Sequence, residues 1–306
     1  MMFETPVYAI PPFYREFEEK LDHTSMSEYL EFLEGKGVDV VMTTAGTSQF
    51  NLLSDEEVRE LNQTVLRSFS KHTILGLKPT SEKFLKEEIL WYNELTKDRD
   101  NVYLILLYPD RFYTEDNVSD FFHRMADYSD NPIFVHGQNM RKGNGGSYDF
   151  TPTLINKIAS HPNIVGMKEE CTSLPIGWKM INGIESIDHF EVIVAGGSQN
   201  RHWYLQSAGA DNFLTGIGNF FPEIENTYYQ WIQKGEYGLA MRWINEYETE
   251  LFNVFMEIGW HKSMREALRI LGFNKGSDRK PFEEATDEES EKIKKIIKKI
   301  QIKYYE

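Results

Sequence analysis

In Ile164-Val165-Gly166-Met167-Lys168-Glu169-Glu170 an apolar run, Ile164–Met167, stops abruptly on charge, and it is the sixth of eight comparable runs along the chain. The others are Val7–Ile10, Val38–Met42, Thr73–Leu77, Val102–Leu107, Ile133–Val135, Val192–Ala195 and Asn212–Leu214. Most are separated by segments with helical spacing, such as Val58, Leu61, Val65 and Phe69 behind the capping box Ser54-x-x-Glu57. Strand alternating with helix implies a parallel sheet. Eight such units in about 220 residues fit a (β/α)8 barrel, an α/β fold, better than an open doubly wound sheet, which usually has fewer strands.

From Pro222 onward the strand signal stops, and the spacing predicts helices near 223–234, 237–257, 261–271 and 287–303. The expected organisation is therefore a barrel over residues 1–222 and a C-terminal helical domain over 223–306. The last helix opens on a second capping box, Thr286-x-x-Glu289. It places Ile293, Ile296, Ile297 and Ile300 on one face and Lys294, Lys295, Lys298 and Lys299 on the other, a pattern that reads as a solvated face.

The 33 Lys and Arg residues stand against 48 Asp and Glu, a formal charge of −15, which argues against a nucleic-acid partner because phosphate tracking needs a basic stripe. A soluble protein handling small molecules fits better, and an anionic substrate would then need its own local donors. At 41% hydrophobic and 14% aromatic the chain can bury a large core. No apolar run approaches the roughly 20 residues of a membrane span, and Met1-Met2-Phe3-Glu4 does not begin like a secretory leader. A cytoplasmic location is expected, with no membrane partner. The single cysteine, Cys171, fits a reducing compartment and can build neither an internal disulfide nor a cysteine metal site.

Functional groups of a (β/α)8 barrel lie at the C-terminal ends of its strands, so the residue ending each run matters most. Lys168 is the sharpest case. A lysine in a barrel mouth loses hydration, its pKa falls, and the free amine can attack a ketone. An ordinary lysine paired with Glu169 or Glu170 is an equal reading from position alone.

The segment Ile164–Cys171 resembles the Gly-x-Lys-Glu strand of the dihydrodipicolinate synthase/N-acetylneuraminate lyase family. Further stretches are similar in order and spacing: Gly37-Val38-Asp39, then Ala45-Gly46-Thr47-Ser48-Gln49-Phe50, then Leu53-Ser54-Asp55-Glu56-Glu57. Ser207–Asp211 followed by Asn219 and Pro222, and Leu268–Gly272, also match, so the likeness covers nearly the whole chain. The resemblance implies a class I lyase on a (β/α)8 barrel in which Lys168 forms an imine with pyruvate or another 2-oxo acid. It implies no cofactor beyond that imine, and a homo-oligomer, tetramer or dimer.

Departures from the family pattern are local. The Gly-Thr-Thr-Gly-Glu loop reads Ala45-Gly46-Thr47-Ser48-Gln49, so Thr47, Ser48 and backbone N–H groups are left to hold the carboxylate. Where the family's fifth strand ends on a proton-relaying tyrosine, this chain has His136, whose imidazole titrates near neutrality. Arg141, with Lys142 beside it, lies near the family's arginine for a second carboxylate. Tyr108 and Tyr113 are candidates for its aromatic pair. Gly143-Asn144-Gly145-Gly146 lacks the Lys-Ser/Thr of a phosphate cradle, and no His, Asp or Glu spacing suggests a metal.

These readings combine into an expected class I lyase joining a 2-oxo acid to an aldehyde, with a sugar-derived aldehyde among the candidates. Lys168 and His136 are its expected catalytic residues. Thr47 and Ser48 would hold the carboxylate, and Arg141, Gly197, Ser198 and Leu214 would select the second substrate. A sugar-acid dehydratase using the same imine, and an inactive 2-oxo-acid-binding or regulatory paralogue, are the alternatives.

Overall fold

The computed structural model describes residues 2–15, 20–43, 46–185, 189–196 and 199–305, the Ser48 side chain excepted. Eight strands form a closed barrel: β1 (Val7–Ala9), β2 (Val40–Met42), β3 (His72–Gly76), β4 (Val102–Leu107), β5 (Ile133–Gln138), β6 (Ile164–Glu170), β7 (Glu191–Val194) and β8 (Asn212–Thr215). Each pairs in parallel with its neighbours in sequence. Val7 opposite Leu214 closes the ring between β1 and β8. This is the (β/α)8 barrel expected from the eight apolar runs.

Helices α1 (His23–Gly35), α2 (Asp55–Ser68), α3 (Glu82–Thr96), α4 (Glu115–Asp127), α5 (Pro152–Ala159), α6 (Leu174–Asn182) and α7 (Gln199–Leu205) lie between successive strands. Short polar residues start several of them. Ser54, Ser81, Thr114 and Thr151 each accept an N–H from the first turn, and Ser54 and Glu57 form the reciprocal box read from the sequence.

Side-chain alternation sorts the core into two parts. Val7, Ala9, Val40, Met42, Ile105 and Phe134 point into the barrel, and Phe3 packs edge-on against Tyr103 and His72 among them. Tyr8, Val41, Leu104, Leu106, Val135 and Met167 face the helices and join the larger core.

The sixth strand departs from simple alternation. Ile133 pairs with Ile164, yet the next pair is Phe134 with Gly166, so β6 carries one extra residue at Val165. A bulge of this kind reverses which face all later residues occupy. Ile164 belongs to the outer core, so without the bulge Gly166, Lys168 and Glu170 would also face outward. With it they face the barrel axis beside Phe134 and His136. Gly166 is required there, because a Cβ would lie 2.5 Å from the Phe134 ring and 2.3 Å from the Glu191 carbonyl oxygen. The strand also runs past Lys168 to Glu170, since β5 extends to Gln138 and pairs with it.

After β8 the chain is helical: α8 (Pro222–Gln233), α9 (Tyr237–Trp243), a π-helical turn (Ile244–Glu248), α10 (Thr249–Ile258), α11 (Trp260–Ile270) and α12 (Asp287–Tyr305). Ile293, Ile296, Ile297 and Ile300 are buried on one face of α12, whereas Lys294 and Lys299 are exposed. Among the described residues no helix is long and apolar enough to cross a membrane.

Candidate active site

The β5–β6 register sets His136 directly beside Lys168, both pointing inward, with Glu170 one alternation further up β6. Lys168 Nζ lies 2.8 Å from His136 Nε2 and 3.0 Å from Glu170 Oε2, and Nε2 is 2.5 Å from the same carboxylate oxygen. Lys168 and His136 are 2% and 4% exposed, while the Glu170 side chain is 41% exposed and reaches solvent.

Burial in the barrel pushes the Lys168 amine below its ordinary range, against the pull of the Glu170 charge. Burial also lowers His136 to about 4, helped by Lys168 and opposed by Glu170. Burial alone would raise Glu170, but the His136 hydrogen bond and the Lys168 charge outweigh it and bring the carboxyl to about 2. Near neutral pH the cluster thus holds a neutral imidazole and an ionised carboxylate. A carboxylate only accepts, so Nε2 carries the proton of the neutral ring and donates to Glu170, and its contact with Nζ then needs the lone pair of a neutral Lys168 amine on that side. The three groups are in mutual hydrogen-bond contact from a buried amine out to a half-exposed carboxylate.

Glu169 points the other way. It is fully buried behind the barrel, where its Oε1 accepts from Arg201 at 2.7 Å and from the Cys171 backbone N–H at 2.8 Å. Of the two lysine partners considered from sequence, Glu170 is the one in contact. The ion pair and the desolvated amine occur together.

A cleft of about 280 Å³ opens over Lys168 and Glu170, with Gly46, Thr47, Gly196 and Leu214 on its border. Thr47 and Leu214 therefore share a space with the lysine, as does the short 3₁₀ turn Gly46–Ser48. Gln49, which follows, has φ of +51°, the left-handed conformation that favours glycine. Gly197, Ser198 and the Ser48 side chain lie outside the described residues.

Arg141 is not brought to the lysine. It sits exposed in a short hairpin, Met140–Arg141 against Ser147–Tyr148, turned by Gly145 and Gly146 with positive φ. Its carbonyl accepts the Phe112 N–H at 2.9 Å, and the residue does not border the cleft. Tyr108 packs on Phe121 and Tyr113 is exposed; neither reaches the cleft wall.

Two parts of the site escaped the sequence reading. Glu170 figured there only as an ordinary ion-pair partner, although its place two residues after Lys168 signals the same strand face. The opposite wall, formed by Phe252, Met256, Trp260 and His261 of α10 and α11, left no local trace.

The chain matches the Dihydrodipicolinate synthetase family over residues 7–300. A 4-hydroxy-tetrahydrodipicolinate synthase of Methanospirillum hungatei JF-1 is 27% identical over 304 residues, covering 97% of this chain and 99% of the relative. Among solved structures, YagE of E. coli K12 in complex with pyruvate superposes with a TM-score of 0.80 at 17% identity, covering 97% and 98% of the two chains. A Sulfolobus solfataricus 2-keto-3-deoxygluconate aldolase variant gives 0.78 at 17% identity, with 97% of each chain covered. The barrel, the lysine at the end of its sixth strand and a match spanning residues 7–300 lead to one assignment: the chain belongs to the dihydrodipicolinate synthetase family, as a lyase of that family.

Proposed function

We propose that this protein is a class I lyase in which Lys168 forms an imine with pyruvate or a related 2-oxo acid and the derived enamine adds to an aldehyde, or is released in the reverse cleavage. The observation that carries this reading is the Lys168 amine, buried, lowered in pKa, and in contact with both an imidazole and a carboxylate. Thr47 and the backbone N–H groups of the Gly46–Ser48 turn are suited to hold the 2-oxo acid carboxylate, with the Ser48 hydroxyl assigned beside them from sequence.

The neutral amine attacks the ketone carbon, the carbonyl oxygen takes a proton, and water leaves to give the imine. Loss of a C3 proton yields the enamine, whose carbon attacks the aldehyde carbon while the aldehyde oxygen is protonated. Water then hydrolyses the new imine and regenerates Lys168. Each step moves a proton within reach of Nζ, and we assign its carriage to His136 Nε2 with Glu170 Oε2, both in contact with the amine. This route uses no cofactor.

Borohydride added with pyruvate should leave a reduced pyruvyl mass on Lys168, mapped by peptide mass spectrometry. No adduct, or one on a different lysine, refutes the mechanism. Incubation with hexonic acids in the same assay separates aldol cleavage from dehydration by product mass.

The reading extends to a cytoplasmic homo-oligomer. Its support is the single buried Cys171 and an exposed apolar patch, Ile176, Trp178 and Tyr204, across α6 and α7. Replacing Trp178, 43% exposed, by glutamate should shift the sedimentation mass toward one protomer. A wild-type chain that already sediments as a monomer contradicts the assembly.

A further inference from the structure

The cleft over Lys168 has two unlike sides. One carries Lys168, Glu170, Thr47 and backbone from the strand ends; the other is built from Leu214, Phe252, Met256 and Trp260, with His261 beside them. Phe252 and Met256 are four residues apart on α10, so they share a face. Gly259, with φ of +121°, caps α10 and opens α11 without an intervening loop, which brings Trp260 against the same space. The indole is held in place: a Cβ on Gly216 would lie 2.0 Å from it, and its ring centroid is 5.6 Å from Phe252 and 5.9 Å from Phe255.

Resting on the imine reading above, we propose that the aldehyde partner of this enzyme is apolar, with an aryl or branched alkyl group on its carbonyl carbon, and bears neither a carboxylate nor a polyol chain. A carboxylate on that side would meet no free cation among the described lining residues. His261 is kept neutral by burial and by Arg265. Arg265 is itself paired with Asp278 and bonded to the Pro12 carbonyl, Arg279 is paired with Glu57, and Arg141 is outside the cleft. Among the described lining residues the remaining charges are Lys168, which the imine occupies, and the ionised Glu170, which repels an anion.

A polyol fares no better. The Thr215 hydroxyl borders the cleft but already accepts the Gly218 N–H at 2.9 Å and is hydrogen-bonded to the buried Glu225 carboxyl. Hydroxyl groups placed against Phe252, Met256, Leu214 and Trp260 would give up water, and the unpartnered Nδ1 of His261 could replace it for only one of the several hydroxyls of a polyol. A cleft of about 280 Å³ is also small for a ligand site. It suits a three-carbon oxo acid plus one ring or branched chain better than a long sugar acid.

The test uses the full-length enzyme with saturating pyruvate and three aldehydes: benzaldehyde, D-glyceraldehyde and succinic semialdehyde. Benzaldehyde should have the highest kcat/KM, by about tenfold or more over either polar aldehyde. Met256→Lys places a cation on the wall at a position 55% exposed, where folding tolerates it. The benzaldehyde to succinic semialdehyde ratio of kcat/KM should then fall about tenfold or more. A wild-type preference for either polar aldehyde, or an unchanged ratio in the variant, overturns the inference. The borohydride trap run in parallel separates the two levels. A pyruvyl adduct on Lys168 with a polar preference defeats only the aldehyde assignment, whereas no adduct on Lys168 defeats the imine reading and this inference with it.

Discussion

Lys168→Met is expected to abolish both the borohydride adduct and turnover, with a loss of about ten-thousandfold or more, as follows when a covalent nucleophile is removed. The same variant should unfold at a higher temperature than the wild type. Methionine has nearly the volume and flexibility of lysine, so it fills the same space beneath the cleft. What it removes is a buried amine, 2% exposed, whose pKa lies below its ordinary value in the folded chain. The unfolded chain binds a proton on this lysine at any pH below about 10.4. Between that pH and the folded-state pKa, each unit of falling pH costs the native state about 1.4 kcal/mol, and below the folded pKa the penalty stays constant. The thermal gain of Lys168→Met should therefore be larger at pH 7 than at pH 9.5. Glu170, 41% exposed at its side chain, can turn to water once its partner is gone. A fall in melting temperature of several degrees at pH 7 would show that the lysine contributes to stability rather than costing it. Turnover surviving within tenfold would remove it from the chemistry.

The barrel was legible in the sequence because hydrophobic burial on a strand leaves a continuous local record. Val102–Leu107 is read without error, and β1, β2, β3, β7 and β8 are displaced from their apolar runs by only one or two residues at an end. The inward aim of Lys168 was not legible. Counting alternately from Ile164 gives the wrong face, and the bulge at Val165 that corrects it depends on pairing with β5, a segment thirty-odd residues earlier. Gly166 is its one trace, and a glycine in a strand has several possible causes. Thr47, singled out from its loop, does border the cleft, yet the aromatic wall was not read. Phe252, Met256 and Trp260 look like ordinary helical spacing until the corner at Gly259 directs them to the barrel mouth. Arg141 shows the converse error: proximity in sequence to a matching motif did not survive the hairpin that carries it into solvent. Residues whose role is set by one strand's period are readable; those set by register or by a distant helix are not.

Glu170→Gln should separate a proton-handling carboxylate from a merely structural one. The substitution keeps the size and an accepting oxygen, but removes the charge and the ability to take a proton from His136. If Glu170 completes the relay, kcat for the aldol step falls about 10²–10⁴-fold. A second effect follows from electrostatics. Burial lowers the Lys168 pKa, and the Glu170 charge is the main influence opposing that shift. Without it the amine becomes still harder to protonate, so the acid limb of kcat/KM, which reports the free amine needed for attack, should move to lower pH. A loose or displaced lysine would lower kcat without this displacement. Glu170→Asp keeps the charge, so it should restore the wild-type position of the limb even where the shorter side chain recovers only part of kcat. The wild-type limb belongs to the Lys168–Glu170 pair rather than to either group alone, and its shift in the glutamine variant measures their coupling. A kcat within about threefold of wild type, or a limb that moves to higher pH, would leave Glu170 as an ion-pair partner only. The proton would then have to travel through His136 alone, whose pKa of about 4 makes it a poor store of charge near neutrality.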